Sequence, residues 1–407
     1  MNVKKSLLIS HNFLPGFAGG MEVYYHNLCT QLSGEIEVLT PRYGDWQVFD
    51  AQQSYPVHRR SIPLESSSFR RQARVRFWAL LSAAWMAIVQ FVLYTIHGYR
   101  IVHRENIGAV LIGHLYLAPV GWAIRLLARR PYAIFLHGSE LPRFWHLGLV
   151  RRLIVALLNG ANFLMVNSEF TRRQYLARGV RADQTFVRIH PGVDLKRFLP
   201  NLDASPIVRR HGLAGRPLIL TVGRLVEWKG QDMVMRALPY VLQAVPTAAY
   251  VVVGEGPYRK PLERLVAELK LHDHVIFAGF VPAEELAMYY RAADVTVLVS
   301  REICPGMPIE GFGMVYLEAN AAGRPVIGSR MGGVTEAVLE GVTGLLVNPN
   351  DEKEIAAAIM RLLTDRVLAE HMGLQGRARA ARELSWQTQA AGLRRQLQMR
   401  AGAGLAA

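Results

Sequence analysis

Two kinds of hydrophobic pattern alternate along this chain. Short unbroken runs rich in Val, Ile, Leu and Phe are followed by longer segments whose apolar positions return every three or four residues. The first kind suits strands buried on both faces, and the second suits amphipathic helices that cover them. The alternation therefore predicts parallel sheets clad in helices, an α/β architecture. Predicted strands in the first half are Ser6–Ser10, Glu35–Thr40, Ala109–Ile112, Tyr132–Leu136, Phe163–Val166 and Thr185–Ile189. Those in the second half are Leu218–Val222, Ala249–Val253, Val275–Ala278, Val295–Val299, Pro325–Ile327 and Gly344–Val347. Two similar sets imply two doubly wound domains, whose ligands bind outside the C-terminal ends of the strands and hence in the cleft between facing domains. The polar, Pro-containing connector from Pro200 to Pro206 separates residues 1–200 from residues 201–384.

A length of 407 residues also calls for more than one core. With 51% hydrophobic and 19% charged residues the chain is globular rather than disordered. Cys29 and Cys304 are the two cysteines, far apart, which fits a reducing compartment and argues against a disulfide framework or a cysteine-rich metal site. Lys4-Lys5 before Leu7-Leu8-Ile9 imitates a signal peptide, but His11-Asn12 interrupts the run, so it reads as a first strand.

Charge changes the picture more. Residues 1–200 hold 24 Lys+Arg against 11 Asp+Glu, whereas residues 201–407 hold 23 against 21. A basic first half points to a negatively charged surface as partner. No DNA- or RNA-reading motif accompanies the charge, so an anionic lipid surface is the expectation and nucleic acid is not. The stretch Phe77–Ile96 is twenty residues without a charge, flanked by Arg71, Arg74 and Arg76 before and Arg100 and Arg104 after. By length it suits a bilayer span, a buried helix, or a helix lying in the membrane interface. A span would place the Gly-rich segment near residue 20 and His137 on opposite sides of the membrane, dividing one domain, and flanks that are positive at both ends set no orientation.

Candidate chemistry clusters at predicted strand ends. Gly19-Gly20-Met21-Glu22 follows the first strand and opens a helix, where close backbone approach and unpaired amides suit an anion, or the pair is simply a glycine-rich turn. His137, in Leu136-His137-Gly138-Ser139-Glu140, offers an imidazole to a sugar hydroxyl or a reacting centre, or simply packs. Gly223-Arg224 with Lys229-Gly230 supplies a guanidinium fork and an ammonium suited to a diphosphate leaving group, or else two solvated cations, which the strand-end location disfavours. Glu310-Gly311-Phe312-Gly313 joins a Gly-rich turn to a helix carrying Glu318, so either one carboxylate meets a sugar and the other a more distant part of the same ligand, or this is an ordinary loop-to-helix junction with two solvated glutamates. Gly254-Glu255-Gly256-Pro257 reads most simply as a strand-ending turn, and His272-Asp273-His274 as a solvated loop. Asp-x-Asp, Walker and Gly-x-Ser-x-Gly motifs are absent, as is a dinucleotide fingerprint.

Taken in order, these segments resemble family 4 glycosyltransferases over nearly the whole chain. The resemblance implies the GT-B fold: two Rossmann-like domains facing a cleft, with the helix around residues 385–407 crossing back to the first. It implies metal-independent transfer of a hexose from a nucleotide-diphosphate sugar with retention of configuration. By position, Glu310 would contact the donor sugar, Glu318 the ribose, and Arg224 and Lys229 the diphosphate. Gly20 would approach the phosphates, amides of Gly311, Phe312, Gly313 and Met314 would receive sugar and phosphates, and His137 would touch the transferred sugar. Gly279 and Phe280 would border the base. His190 departs from the prolyl-asparaginyl pair usual there. The long approach Arg301–Gly306 is similar to that of bacterial mannosyltransferases acting on lipid acceptors. The implied donor is GDP-mannose ahead of a UDP-sugar, and the implied acceptor a lipid-linked or glycan chain in cell-surface polysaccharide or glycolipid synthesis. The implied location is the inner face of the cytoplasmic membrane. A GT-B epimerase or phosphorylase, or a non-catalytic nucleotide-sugar-binding protein, fits the same segments.

Overall fold

The structure, a computed structural model, describes residues 5–16, 19–63, 76–138, 148–304 and 309–403. Ser139 and Glu140 of the His137 segment, Arg71 and Arg74, and residues 305–308 of the approach to Glu310 lie outside the described residues. Backbone contacts divide the chain into two compact units. One holds the chain up to Val166, Arg172–Ile189 and everything from Ala390; the other holds Asn167–Thr171 and His190–Gln389.

Among the described residues the first unit is built on seven parallel strands: β1 (Ser6–Ile9), β2 (Ile36–Pro41), β3 (Val57–Arg60), β4 (Ala109–Ile112), β5 (Tyr132–Leu136), β6 (Phe163–Val166) and β7 (Phe186–Arg188). Their spatial order is β3-β2-β1-β4-β5-β6-β7. Register is fixed on both sides of β1, with Leu7 opposite Glu37 and Val110. The second unit has β8 (Leu218–Val222), β9 (Ala249–Val253), β10 (Val275–Gly279), β11 (Val295–Leu298), β12 (Val326–Ser329) and β13 (Gly344–Val347). Its order is β10-β9-β8-β11-β12-β13. In each sheet the strand order reverses beside the first strand, and the loops leaving β1 and β4, or β8 and β11, open there. A ligand finds its crevice at such a reversal.

The strands form where expected because parallel strands carry helices on both faces and must be apolar throughout. In the second unit, alternate residues of β8 and β9 serve two separate cores. Leu218, Leu220, Val251 and Val253 face one, and Ile219, Tyr250 and Val252 face the other. One strand, β3, escapes the pattern because it is an edge strand of sequence Val-His-Arg-Arg. Two of its polar side chains find carboxylates outside the strand: Arg59 is buried against Asp50 at 2.9 Å, and His58 meets Glu37 at 2.7 Å. The arginine-rich stretch before the last helix is also helical, Arg366–Glu383, with Arg379 donating to the Glu336 and Ala337 carbonyls at 2.6 and 2.7 Å.

The charge-free stretch from Phe77 to Ile96 belongs to a longer helix, Arg76–Arg104. Gln90, Tyr94 and Val102 on it are buried, while Trp85, Ile88, Val92 and Ile96 are exposed. It is therefore not a fully buried helix. Among the described residues no helix is long and apolar enough to cross a membrane. The last helix, Trp386–Ala403, joins the first unit from Ala390 onward, where Arg394 pairs with Glu35 at 2.7 Å.

Candidate functional site

In the second unit, the loop after β8 carries Arg224 and Lys229. It is shaped by the Gly254–Gly256 turn after β9, because a Cβ at Gly254 would lie 2.1 Å from the Gly223 carbonyl oxygen. Gly254 also adopts φ +133°, and Leu225 N–H donates to the Glu255 carbonyl at 3.0 Å. The Gly-Glu-Gly turn thus does more than end a strand: it sets the path of the backbone that presents Arg224. Arg224 itself is exposed.

Lys229 reaches the loop after β11, where its ammonium pairs directly with the Glu310 carboxylate. Their side chains are 16% and 14% exposed, sheltered enough to strengthen the pair yet open to a ligand. Ser300 Oγ also approaches Glu310, at 3.4 Å, and the ammonium lies 4.5 Å from the centre of the Trp228 ring. The foundation beneath is a buried ion pair, Arg301 to Asp232, made by two parallel bonds of 2.9 and 2.6 Å. Arg301 N–H also donates to the Trp228 carbonyl at 2.8 Å, tying the start of the Glu310 approach to the Lys229 loop.

Glu310 is followed by Gly311, Phe312 and Gly313, the last capping the helix Met314–Ala321 with φ +97°. The first amides of that helix lack intrahelical partners and sit at the positive end of its dipole. Phe312 is buried beneath the His190 ring, with centroids 4.7 Å apart, so it offers an amide and not a ring. His190 is held in turn through Nδ1 on the Asn167 carbonyl at 2.8 Å. Glu318, half-buried one helical turn on, accepts from the Tyr290 hydroxyl at 2.6 Å. Burial raises its pKa, partly offset by that bond and by Arg197. Gly279 ends β10, its carbonyl accepting from Gly254 N–H at 2.8 Å, and Phe280 stands 71% exposed beside it.

One device escaped the sequence reading. Gly332 and Gly333, after β12, lie against the Glu310 turn. Gly333 N–H donates to the Glu310 carbonyl at 2.9 Å, and a Cβ at Gly333 would stand 1.9 Å from the Gly311 carbonyl oxygen. Its signal was a Gly-Gly pair between a strand and a short helix, Val334–Ala337. Gly333→Ala must push the Glu310–Gly311 backbone aside. We expect kcat/KM to fall about a hundredfold, with an unfolding penalty of about 1–3 kcal/mol. Steady-state kinetics beside chemical denaturation would read both, and unchanged kinetics would remove Gly333 from the support of Glu310.

In the first unit, Gly20 is exposed and opens the helix Gly20–Gln31, directly after β1. In its first turn Glu22 is buried, which raises its pKa. His137 follows β5, stacked on Phe135 at 6.3 Å, with Nε2 2.7 Å from Tyr25 Oη. The Tyr25 hydroxyl proton goes to the Gly113 carbonyl, so His137 Nε2–H donates to Tyr25. Two histidines not singled out from the sequence join it. His11 follows β1 and meets Tyr94 at 3.1 Å; His114 follows β4 and accepts from Asn12 N–H at 3.3 Å. Because β1, β4 and β5 are adjacent, the three imidazoles line one sheet edge. Proximity to a strand end was the signal available.

Burial lowers the pKa of His137 to about 4 and that of His114 to about 3, so both are neutral at physiological pH. Their folded values lie below the unfolded one, so the unfolded chain takes up protons first as pH falls. Stability present above pH ~6.5 should therefore fall progressively as pH drops below it. Melting temperatures recorded from pH 7 to 4 test this. A His137→Gln/His114→Gln protein should show a flatter decline.

Residues 19–191 match the Glycosyl transferase 4-like domain family, and residues 206–379 match Glycosyl transferases group 1. The chain belongs to the family 4, group 1 glycosyltransferases. This glycosyltransferase is 32% identical, over 95% of its length and 96% of the relative's, to a GDP-mannose-dependent alpha-(1-6)-phosphatidylinositol monomannoside mannosyltransferase of Mycolicibacterium smegmatis. It is 38% identical to the protein of the same name from Mycobacterium tuberculosis, over 72% of its length and 76% of the relative's. Among solved structures, Anabaena HepE in complex with UDP and glucose superposes with a TM-score of 0.78 at 23% identity, covering 97% and 99% of the two chains. That likeness shows the GT-B fold.

Proposed function

We propose that this glycosyltransferase moves mannose from GDP-mannose, with retention of configuration, onto a phosphatidylinositol-type glycolipid in bacterial surface-lipid synthesis. It would act at the inner face of the cytoplasmic membrane. The observation that carries the reading is the Lys229–Glu310 pair at the strand-order reversal between β8 and β11, beside the amides that open the helix Met314–Ala321. A donor arriving there exchanges the lysine's partner from carboxylate to diphosphate. That frees Glu310 to accept from sugar hydroxyls while Lys229, Arg224 and the helix amides receive charge growing on the leaving phosphate. Glu318 with Tyr290 would hold the ribose, Gly279 and Phe280 would border the base, and Gly20 and His137 would serve from the first unit. The relatives' names support the donor and the acceptor class.

The test begins with a thermal-shift panel of GDP-, UDP- and ADP-sugars, since a ligand that binds the folded state raises its melting temperature. GDP-mannose should give the largest shift. Product analysis with a phosphatidylinositol mannoside acceptor should then show one added α-linked mannose. Epimerised donor, phosphorolysis, or binding without turnover would each replace this reading. Protein cations fill the role a divalent ion plays in Asp-x-Asp enzymes, so a chelator should leave the rate within about twofold. Loss on chelation with recovery on adding manganese would overturn that part.

A further inference from the structure

Three helices that follow one another among the described residues of the first unit, Arg76–Arg104, Ala118–Ala128 and Gly148–Gly160, contain no aspartate or glutamate. They follow β3, β4 and β5, so right-handed crossovers place them on one face of the sheet, and they pack side by side. Their outward surface is apolar where a helix in water is normally polar. Trp85, Ile88, Val92 and Ile96, spaced by three and four residues, form one exposed stripe, with Trp85 at 67%. Trp122 and Leu126 on the next helix and Leu149 and Leu153 on the third are exposed too, Leu149 at 82%. Exposed arginines stand among them: Arg125, Arg151 and Arg152.

We propose that this carboxylate-free face of three helices is the surface on which the enzyme lies against an anionic lipid bilayer. The proposal rests on the reading that the acceptor is a membrane lipid. An exposed apolar patch of this breadth marks an interaction site. Tryptophan suits the headgroup boundary, aliphatic side chains enter just below it, and arginine stems lie along the apolar surface while their guanidiniums reach lipid phosphates. The charge pattern selects among occupants. A second copy would set guanidinium against guanidinium, with no carboxylate on these helices to neutralise either. Nucleic acid would answer the arginines and leave the Trp85–Ile96 stripe in water. An anionic bilayer satisfies both.

The experiment uses the full chain and vesicles of phosphatidylcholine with or without phosphatidylglycerol. The wild type should float with the anionic vesicles and be released as salt is raised. Trp85→Ser/Ile88→Ser should weaken partitioning at least about tenfold on anionic vesicles. Arg151→Gln/Arg152→Gln should weaken it about fivefold for each arginine, on anionic vesicles only. Both variants should keep wild-type melting temperatures and wild-type transfer to a water-soluble mannoside. Partitioning equal to wild type in both variants would overturn the proposal. So would a wild-type dimer in light scattering that the serine pair converts to monomer, since the face would then belong to a second copy. Vesicle binding without sugar transfer to any acceptor would fault the reading of the activity and leave the docking face standing.

Discussion

Glu310→Gln is expected to lower kcat/KM by about 10²–10³, and Glu310→Ala to abolish detectable transfer, with the fold intact. The amide keeps the shape but loses the charge that Lys229 faces, and it accepts more weakly from a sugar hydroxyl whose bond strengthens as the reaction proceeds. The carboxylate is partly open to solvent, so unfolding should shift by no more than about 2 kcal/mol. Lys229→Met should cost a similar factor. The double variant should cost less than the product of the two, because each single change disables the same pair. Wild-type turnover in Glu310→Ala would remove Glu310 from the mechanism. Fully multiplicative losses would show that the pair does not act as a unit.

The largest effect on stability is expected at Asp232. Asp232→Leu leaves the Arg301 guanidinium buried with its carboxylate gone, and breaking such a pair costs about 3–5 kcal/mol. Asp232→Leu/Arg301→Met should recover most of that, since two apolar groups of similar volume leave no buried charge behind. Activity should separate from stability in the double variant. The Arg301 guanidinium also ties the start of the approach to Glu310 to Asp232 on the helix Gln231–Ala244, and the double variant lacks that tie, so kcat/KM should stay depressed while the fold is restored. Denaturant titration beside kinetics tests both. A single variant within about 1 kcal/mol of wild type would show that the pair is not desolvated as the packing implies.

Twelve of the thirteen strands among the described residues could be read from the chain, because burial on both faces leaves a parallel strand little choice but an apolar run. The exception, β3, is stabilised by the carboxylates of Asp50 and Glu37, and no local pattern records a partner supplied by another strand or a helix. The candidate site residues were chosen for a related reason. Arg224, Phe280, Glu310 and His137 follow strands and Gly279 ends one, and the strand ends of a doubly wound sheet are where ligands sit.

Position along the chain carried further than partnership. Local composition was enough to state that two sheets form, that a Gly-rich turn opens the helix before Glu318, and that an uncharged segment precedes β4. Folding alone revealed that Lys229 pairs with Glu310, that Gly333 braces the Glu310 turn, that His11 and His114 stand beside His137, and that Trp85 points outward while Tyr94 points in. The division has a physical origin. Whether a segment becomes strand or helix depends on side chains within a few residues of one another. Which charge, ring or carbonyl it then meets depends on chain brought back from many residues away.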